Sequence, residues 1–242
     1  IIRKADDKSQ TREELVTRTF TQIKHLLQVA TDYAFDKNLW QNYLTFLLIT
    51  NENPFSITCE KVGANEGSVN YFAKSDFKAF MELFHYDFSA LEEYLGIDCF
   101  TRLSNYKAIG KKELMYNKNV SEKVRMLSEK LAAAADENEF FDAVTGFYKA
   151  YGVGMFGLNK AFRIQSREDG GVNFCAINNM DAVMLDDLIG YEIQKKKLVD
   201  NTLAFVEGKK ANNVLLFGDS GTGKSTSIKA IVNEFYDQGL RM

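Results

Sequence analysis

Residues 213–236 read NVLLFGDSGTGKSTSIKAIVNEFY, and they contain the most specific pattern in the chain. The segment 218–225 fits G-x-x-x-x-G-K-[ST] at every fixed position. The short apolar run 214–217 precedes it, as a buried parallel strand would. A helical repeat of apolar residues follows the motif and stops at Gly239. The order of strand, glycine-rich loop and helix predicts a phosphate-binding loop.

This predicted loop would hold the phosphates of a nucleotide through its backbone. Its three glycines let the chain bend so that N–H groups approach phosphate oxygens. The helix that begins near Gly223 adds unpaired N–H groups and the positive end of its dipole. Lys224 would reach the β- and γ-phosphates of ATP, and the Ser225 hydroxyl would bind Mg²⁺. The predicted nucleotide-binding residues of the motif are Gly218, Asp219, Ser220, Gly221, Thr222, Gly223, Lys224, Ser225 and Thr226.

The composition is that of a globular chain with a slight excess of acidic residues. Lys and Arg total 30 against 33 Asp and Glu, so the net charge of −3 provides no basic field for nucleic acid or anionic lipid. The three cysteines lie far apart and are interpreted as reduced, buried thiols: Cys59, Cys99 and Cys175. No apolar run approaches a membrane span, and the N-terminus does not resemble a signal peptide. We therefore expect a cytoplasmic protein without a membrane segment.

Helical periodicity dominates residues 1–158, which we predict to form an α-rich N-terminal domain. Thr11 and Glu14 have the spacing of a capping box ahead of an amphipathic pattern. Asp36 is placed to cap a second helix, and Pro54, the only proline, is expected to end that region.

The stretch 51–74 is polar and has no clear period, so we predict an irregular region with short strands near Ile57 and Tyr71. An aromatic-rich third helix is predicted to begin at Ser75 or Asp76 and to continue to Gly96. Two more amphipathic helices follow, the second of them capped by the Asp136 side chain.

Residues 159–180 change to an alternating pattern, which predicts a β-hairpin connector. Phe162 and Ile164 alternate with polar residues, and a second alternating run begins at Val172. The intervening segment 167–171, REDGG, is a strong turn signal. Helices followed by a hairpin also allow a winged-helix interpretation, with the tip of the hairpin on DNA. The acidic tip disfavours it, because phosphate contacts need cations.

Two other patterns resemble nucleotide-binding motifs but stand in the wrong context. Residues 152–157, GVGMFG, fit the dinucleotide fingerprint, yet they follow a predicted helix instead of a strand. Residues 182–187, AVMLDD, resemble a strand ending in the Mg²⁺-binding carboxylates of an ATPase, here Asp186 and Asp187. Such a strand usually lies downstream of the phosphate loop, whereas this one lies upstream. We predict a helix cap followed by a flexible loop for the first pattern and an approach segment for the second.

The sequence before the loop repeats the order in which AAA+ ATPases begin. An apolar-glycine element, 189–191, is followed by a helix, then by the strand and the phosphate loop. The chain more closely resembles a bacterial group of AAA+-like proteins catalogued as domain of unknown function family 815, and the resemblance is dense over 187–241. The residues behind this similarity are Ile189-Gly-Tyr-Glu-x-Gln194-Lys195, Asn201-Thr202, Phe205, Gly208, Ala211-Asn-Asn-Val-Leu-Leu-Phe-Gly218, Gly221-Thr-Gly-Lys-Ser225 and Gly239-Leu-Arg241.

The resemblance implies a P-loop ATPase module behind an α-rich domain. The expected fold class is α/β: an α-rich N-terminal domain with a β-hairpin, then the first strand–P-loop–helix unit of an AAA+-like domain, truncated, in residues 181–242. In AAA+ ATPases the apolar-glycine turn packs on adenine, and this resemblance assigns Ile189, Gly190 and Tyr191 to the adenine site. The later ATPase parts have no matching positions, so no catalytic residue is carried over. We expect no ATP hydrolysis by this fragment.

Together these observations predict an ATP-binding protein that couples ATP to remodelling or docking of an unknown protein partner. Two alternatives stay open: a nucleotide-gated binding module without turnover, and a DNA-associated loader or transposition helper. The strand at 214–217 would lack sheet neighbours and present an unpaired edge. It could pair with a second copy, pair with the hairpin at 160–177, or stay loosely ordered. We expect the first of these, self-association through the C-terminal portion.

Overall fold

Helices make up most of the computed structural model, which describes residues 11–110, 116–178 and 180–242. The chain divides into two units, Ile1–Gly154 and Met155–Met242, and the predicted hairpin lies inside the second. Helices with a single two-stranded sheet in the described ranges agree with the predicted α/β class at this coarse level. No helix in those ranges combines the length and the apolar character that crossing a bilayer requires.

The first unit is built from helices packed against one another. They are α1 (Arg12–Asp32), α2 (Leu39–Thr50), α3 (Pro54–Val62), α4 (Ser68–Phe84), α5 (Ser89–Leu95), α6 (Cys99–Ser104), α7 (Lys118–Ala133) and α8 (Glu137–Tyr151). Helix α8 packs against α3, α4 and α7. Its buried face includes Phe140, Phe141 and Val144, and the Phe77 ring of α4 lies 6.1 Å and 5.8 Å from the first two rings. Aromatic rings on α8 and α4 therefore form one part of a core that also contains many buried Leu and Val side chains.

Local capping signals located several helices correctly. Thr11 and Glu14 form the predicted capping box, with the Thr11 N–H donating to Glu14 Oε2 at 2.9 Å. Asp136 accepts hydrogen bonds from two backbone N–H groups at the start of α8, as predicted. The Asp36 cap is wrong, because Asn38 Oδ1 accepts from the Gln41 N–H at 3.1 Å and α2 begins one residue later.

The irregular region with short strands predicted at 51–74 is wrong. Pro54 is the first residue of α3, where its missing N–H costs nothing because that group has no helical partner. Asn53 and Ser56 cap this helix reciprocally, each backbone N–H donating to the other side chain at 2.9 Å. Ile57 lies in α3 and Tyr71 in α4, so neither is in a strand.

The boundaries of the aromatic helix also differ from the prediction. Helix α4 begins at Ser68 instead of Ser75 or Asp76. It ends at Phe84, and α5 is a separate helix whose first N–H donates to Asp87 Oδ1 at 2.9 Å. The predicted single helix is therefore interrupted, because Asp87 caps a new start before Gly96.

From residue 154 onward the chain forms a hairpin and three helices. The elements are α9 (Gly154–Leu158), β1 (Phe162–Ser166), β2 (Val172–Ala176), α10 (Glu192–Val206) and α11 (Lys224–Phe235), with 3-10 turns at Leu185–Asp187 and Tyr236–Gln238. The hairpin is confirmed: β1 and β2 are antiparallel, with Phe162 opposite Ala176. In the fingerprint-like segment 152–157 the predicted helix cap is confirmed, because Gly152 caps the C-terminus of α8 at φ +81°. The flexible loop predicted after it is wrong, because the short helix α9 begins at Gly154.

The core of the second unit is the apolar face of α11. Ile231, Val232 and Phe235 form a buried cluster with Leu240. The partly buried residues packed against it are Met180, Leu185, Leu198, Val199 and Val206. Three of these belong to α10, so the cluster holds α11 against α10.

The predicted strand at 214–217 is absent. Val214, Leu215 and Phe217 are 50%, 82% and 87% exposed, and no hydrogen bond joins the backbone of this run to any other described residue. The sheet contains only β1 and β2, so the run does not pair with the hairpin either. A strand gains its hydrogen bonds from neighbours, and this run has none among the described residues.

The prediction of buried thiols is confirmed for two of the three cysteines. Cys59 and Cys99 are buried, and burial raises the pKa of both thiols. Cys175 is half-buried instead, because it lies on the polar face of the hairpin, where its Sγ donates to Gln165 Oε1 at 3.3 Å.

Tyr148 provides a test of the first core. Its hydroxyl donates to the Leu48 carbonyl at 2.8 Å, and burial raises the pKa of this phenol above its ordinary value. The stabilisation is therefore complete below about pH 10, the unfolded pKa, and is lost as the pH rises further. Tyr148→Phe should lower the free energy of unfolding by about 0.5–1.5 kcal/mol at pH 8. The difference from wild type should stay constant from pH 8 to about pH 10 and shrink as the pH rises further.

Urea unfolding followed across that pH range measures this difference. Tyr71→Phe is the matched control, because Tyr71 is 77% exposed. A constant difference between wild type and Tyr148→Phe over the whole range would contradict the prediction.

Candidate functional site

The segment 218–223, called the glycine-rich loop below, enters α11 through left-handed backbone. Gly221 has φ +81° and Gly223 has φ +78°, values that side-chain-bearing residues rarely adopt. Gly223 is the N-cap residue of α11, which begins at Lys224 as predicted. Gly221 and Gly223 are thus at positions where the backbone of the loop has a positive φ, which favours glycine.

The Lys224 side chain folds back over the glycine-rich loop. Its ammonium donates to the carbonyl oxygens of Gly218 at 3.0 Å and Asp219 at 2.6 Å, and to Thr222 Oγ1 at 3.2 Å. The Thr222 hydroxyl also donates to the Asp219 carbonyl at 2.9 Å. The Lys224 ammonium is therefore held against the glycine-rich loop by hydrogen bonds to three residues of that loop.

The backbone of the loop retains unused donors. Within the described ranges, the N–H groups of residues 219–223 make no hydrogen bond. They lie next to the N-terminus of α11, where the helix dipole is positive. The loop therefore offers several donors and a fixed positive potential to an anion.

A cavity of about 480 Å³ lies against the loop. It brings together residues that the sequence analysis had assigned to separate roles. Its lining includes Ile189, Gly190, Tyr191, Gly221, Thr222 and Lys224. Gly218 and Gly223 also line it, whereas Asp219, Ser220, Ser225 and Thr226 do not. Ser225, the predicted Mg²⁺ ligand, is exposed in the first turn of α11.

The turn opposite the loop is held by a lysine. Gly190 and Tyr191 both have positive φ, +83° and +57°, so the chain reverses before α10 begins. The Lys195 ammonium donates to the Leu188 carbonyl at 2.7 Å and pairs with Glu192 at 2.8 Å. This arrangement leaves Ile189 and Tyr191 at the surface of the cavity, 94% and 57% exposed.

Sequence reasoning missed the contribution of α10 to the cavity. Gln194, Lys195 and Leu198 line it together with Tyr191. Gln194 and Lys195 lie four and three residues before Leu198, which places these three on one face of α10. That spacing was visible in the sequence, but nothing there showed which element this face would meet.

The segment 182–187 is an approach segment, as predicted, and not a strand. Asp187 Oδ2 accepts from the Met184 N–H at 2.8 Å, so this carboxylate caps its own turn. The Asn233 side chain of α11 donates to the carbonyls of Asp181 at 2.8 Å and Val183 at 2.9 Å. These bonds hold residues 181–183, the start of the segment that leads to the cavity, against α11.

The described residues contain no group of three His, Cys, Asp or Glu side chains suited to a metal ion. The lining of the cavity includes no Asp or Glu side chain among the described residues. A cation bound here would need oxygen ligands from the bound molecule in addition to Ser225.

Comparison with known proteins places one family on this region. Residues 158–242 match the family described as protein of unknown function (DUF815). The matched range lies within the second unit and includes the whole lining of the cavity. It agrees with the family resemblance found in the sequence. No curated protein and no solved structure matches the chain.

Asn233 is predicted to stabilise the approach to the cavity. Asn233→Ala removes both bonds to 181–183 and should lower the free energy of unfolding by about 1–3 kcal/mol. Amide hydrogen exchange at 181–189 should become faster, because that path loses two of its bonds to α11 and keeps the one from Lys229 to Asp181. Denaturant unfolding and exchange mass spectrometry measure the two effects.

The matched control is Glu234→Ala, the next residue, whose side chain is exposed. If exchange at 181–189 is unchanged in Asn233→Ala, these bonds do not hold the approach segment.

Proposed function

We propose that the second unit binds ATP–Mg²⁺ at the glycine-rich loop as an AAA+-like P-loop module, with ATP driving a conformational change that acts on a protein partner. The observation that supports this most directly is the shared cavity. The loop with the unused N–H donors and Lys224 forms one part of its wall, and the 189–191 turn forms another.

The electrostatics of the glycine-rich loop favour binding of the nucleotide's phosphates there. Lys224 now donates to neutral carbonyl and hydroxyl oxygens. Phosphate oxygens are charged, and hydrogen bonds between two ionised groups are roughly twice as strong as neutral ones. A triphosphate would therefore draw the ammonium away from the loop, and the free N–H groups of 219–223 would bind its oxygens. Mg²⁺ would join the phosphates to the Ser225 hydroxyl.

The apolar part of the cavity has room for the base of a nucleotide. The cavity volume of about 480 Å³ lies within the usual range for small-molecule sites, about 300–1,000 Å³. Ile189 and Tyr191 are exposed, and Leu198 lines the same cavity. A planar base lying on these side chains would remove apolar surface from water.

A second function, a nucleotide-gated binding module without turnover, is favoured by one observation. Phosphoryl transfer to water needs a group that positions the water, and no carboxylate of the described residues lines the cavity. Asp187 accepts the Met184 N–H in its own turn instead. Binding of ATP thus has support in this unit, whereas the residues for hydrolysis remain unassigned.

Lys224→Ala tests the proposed binding. Removing the ammonium should weaken ATP–Mg²⁺ affinity by at least about tenfold, because the charge on the γ-phosphate loses its partner. Titration calorimetry measures the affinity. Circular dichroism and the thermal midpoint verify that the variant is folded.

Lys196→Ala is the control, because Lys196 is an exposed lysine of α10 that pairs with Asp200 outside the cavity. Equal ATP affinity of wild type and Lys224→Ala would refute the assignment of the loop.

We also infer that the partner of the 214–217 run is a second copy of the chain. The run is exposed, strongly apolar, and unpaired along its backbone among the described residues. Unpaired backbone next to apolar side chains is a template for strand addition. Two identical runs would satisfy each other and bury their apolar side chains.

Leu215→Lys should shift the chain toward monomer, because a buried ammonium would oppose pairing of the two runs. Sedimentation velocity over a concentration series measures the shift. Tyr71→Lys is the matched control in the helical unit, where Tyr71 is comparably exposed. A monomeric wild type, or equal loss of association in both variants, would contradict the inference.

A further inference from the structure

One face of α10 forms a wall of the cavity. Tyr191, Gln194, Lys195 and Leu198 all line it. Gln194 and Lys195 lie four and three residues before Leu198, which places all three on one side of α10, and Tyr191 is the residue that precedes the helix. The first turn of α10 is thus the part of the second unit that faces a bound base.

Two side chains on this face carry nitrogen, those of Gln194 and Lys195, and only Gln194 makes no hydrogen bond to a described residue. The Lys195 side chain is 18% exposed and its ammonium is bound by the Leu188 carbonyl and Glu192. The Gln194 carboxamide is exposed and makes no hydrogen bond to any described residue. It lies between the apolar side chains of Tyr191 and Leu198 along the helix.

We propose that Gln194 is the specificity residue that selects adenine at this site, an inference that rests on the proposed function. A carboxamide presents a carbonyl acceptor and an N–H donor side by side. The N6/N7 edge of adenine presents an amino donor and a ring-nitrogen acceptor, which match them. The same edge of guanine presents two acceptors, O6 and N7, and leaves the Gln194 carbonyl facing a lone pair.

No other polar group on the α10 face can make this distinction with equal geometry. Lys195 is a point charge that donates only, and Tyr191 has a single hydroxyl. The loop recognises phosphates, which are the same in all nucleoside triphosphates. Discrimination between bases therefore depends on Gln194.

The experiment compares nucleotide affinities of the full chain by titration calorimetry. The wild type should bind ATP about tenfold more tightly than GTP, the loss expected when a bidentate pair is broken. It should also bind 7-deaza-ATP more weakly than ATP, because the N7 acceptor is missing. In Gln194→Leu the affinities for ATP, 7-deaza-ATP and GTP should become nearly equal.

Two controls separate the base site from the phosphate site. Inorganic tripolyphosphate should bind Gln194→Leu and wild type equally, because Gln194 does not contact the loop. Lys197→Leu, an exposed change on α10 outside the cavity, should keep the preference for ATP.

If the wild type binds ATP and GTP equally, or if Gln194→Leu keeps the wild-type preference, the role of Gln194 is refuted while ATP binding at the loop stands. If the wild type binds neither nucleotides nor tripolyphosphate, the proposed function fails and the inference fails with it.

Discussion

The packing of α11 on α10 is the interaction on which the second unit depends. Ile231, Val232 and Phe235 are buried, and Leu198 and Val206 of α10 pack against them. Burial of side chains of this size contributes about 1.5–3 kcal/mol each. Because the two helices are held side by side, the loop that enters α11 and the turn that enters α10 line the same cavity. The site is a consequence of this apolar contact.

The polar groups of the site are arranged by short-range bonds on that scaffold. Lys224 holds the loop through its own carbonyls, and Lys195 holds the 188–191 turn. Neither lysine is paired with a carboxylate that lines the cavity, within the described part of the chain. A chain with a net charge of −3 thus presents a local positive potential at one place. This local charge favours an anion at the loop despite the acidic excess of the whole chain.

The first unit shows which features are readable from sequence and which are not. Thr11, Glu14 and Asp136 cap helices as their spacing predicted, because a cap is a contact between residues three or fewer apart. Pro54 is the first residue of α3, although the sequence predicts that it ends a helical region. Proline breaks the interior of a helix, but it also fits the first position of one. Asn38 replaced Asp36 as the cap for a similar reason: both side chains can serve, and packing of α2 decides between them.

For the candidate site, the sequence alone determined the glycine-rich loop, the helix after it, the hairpin and the approach segment. Each of these depends on backbone angles, caps or turns that neighbouring residues specify. Only the tertiary structure decided that 214–217 is not a strand, because a strand requires partners that local sequence does not contain. Only the tertiary structure placed Gln194 and Lys195 in the cavity. The spacing of a helical face is local information, but the surface which that face meets is determined by the packing of α10 against α11.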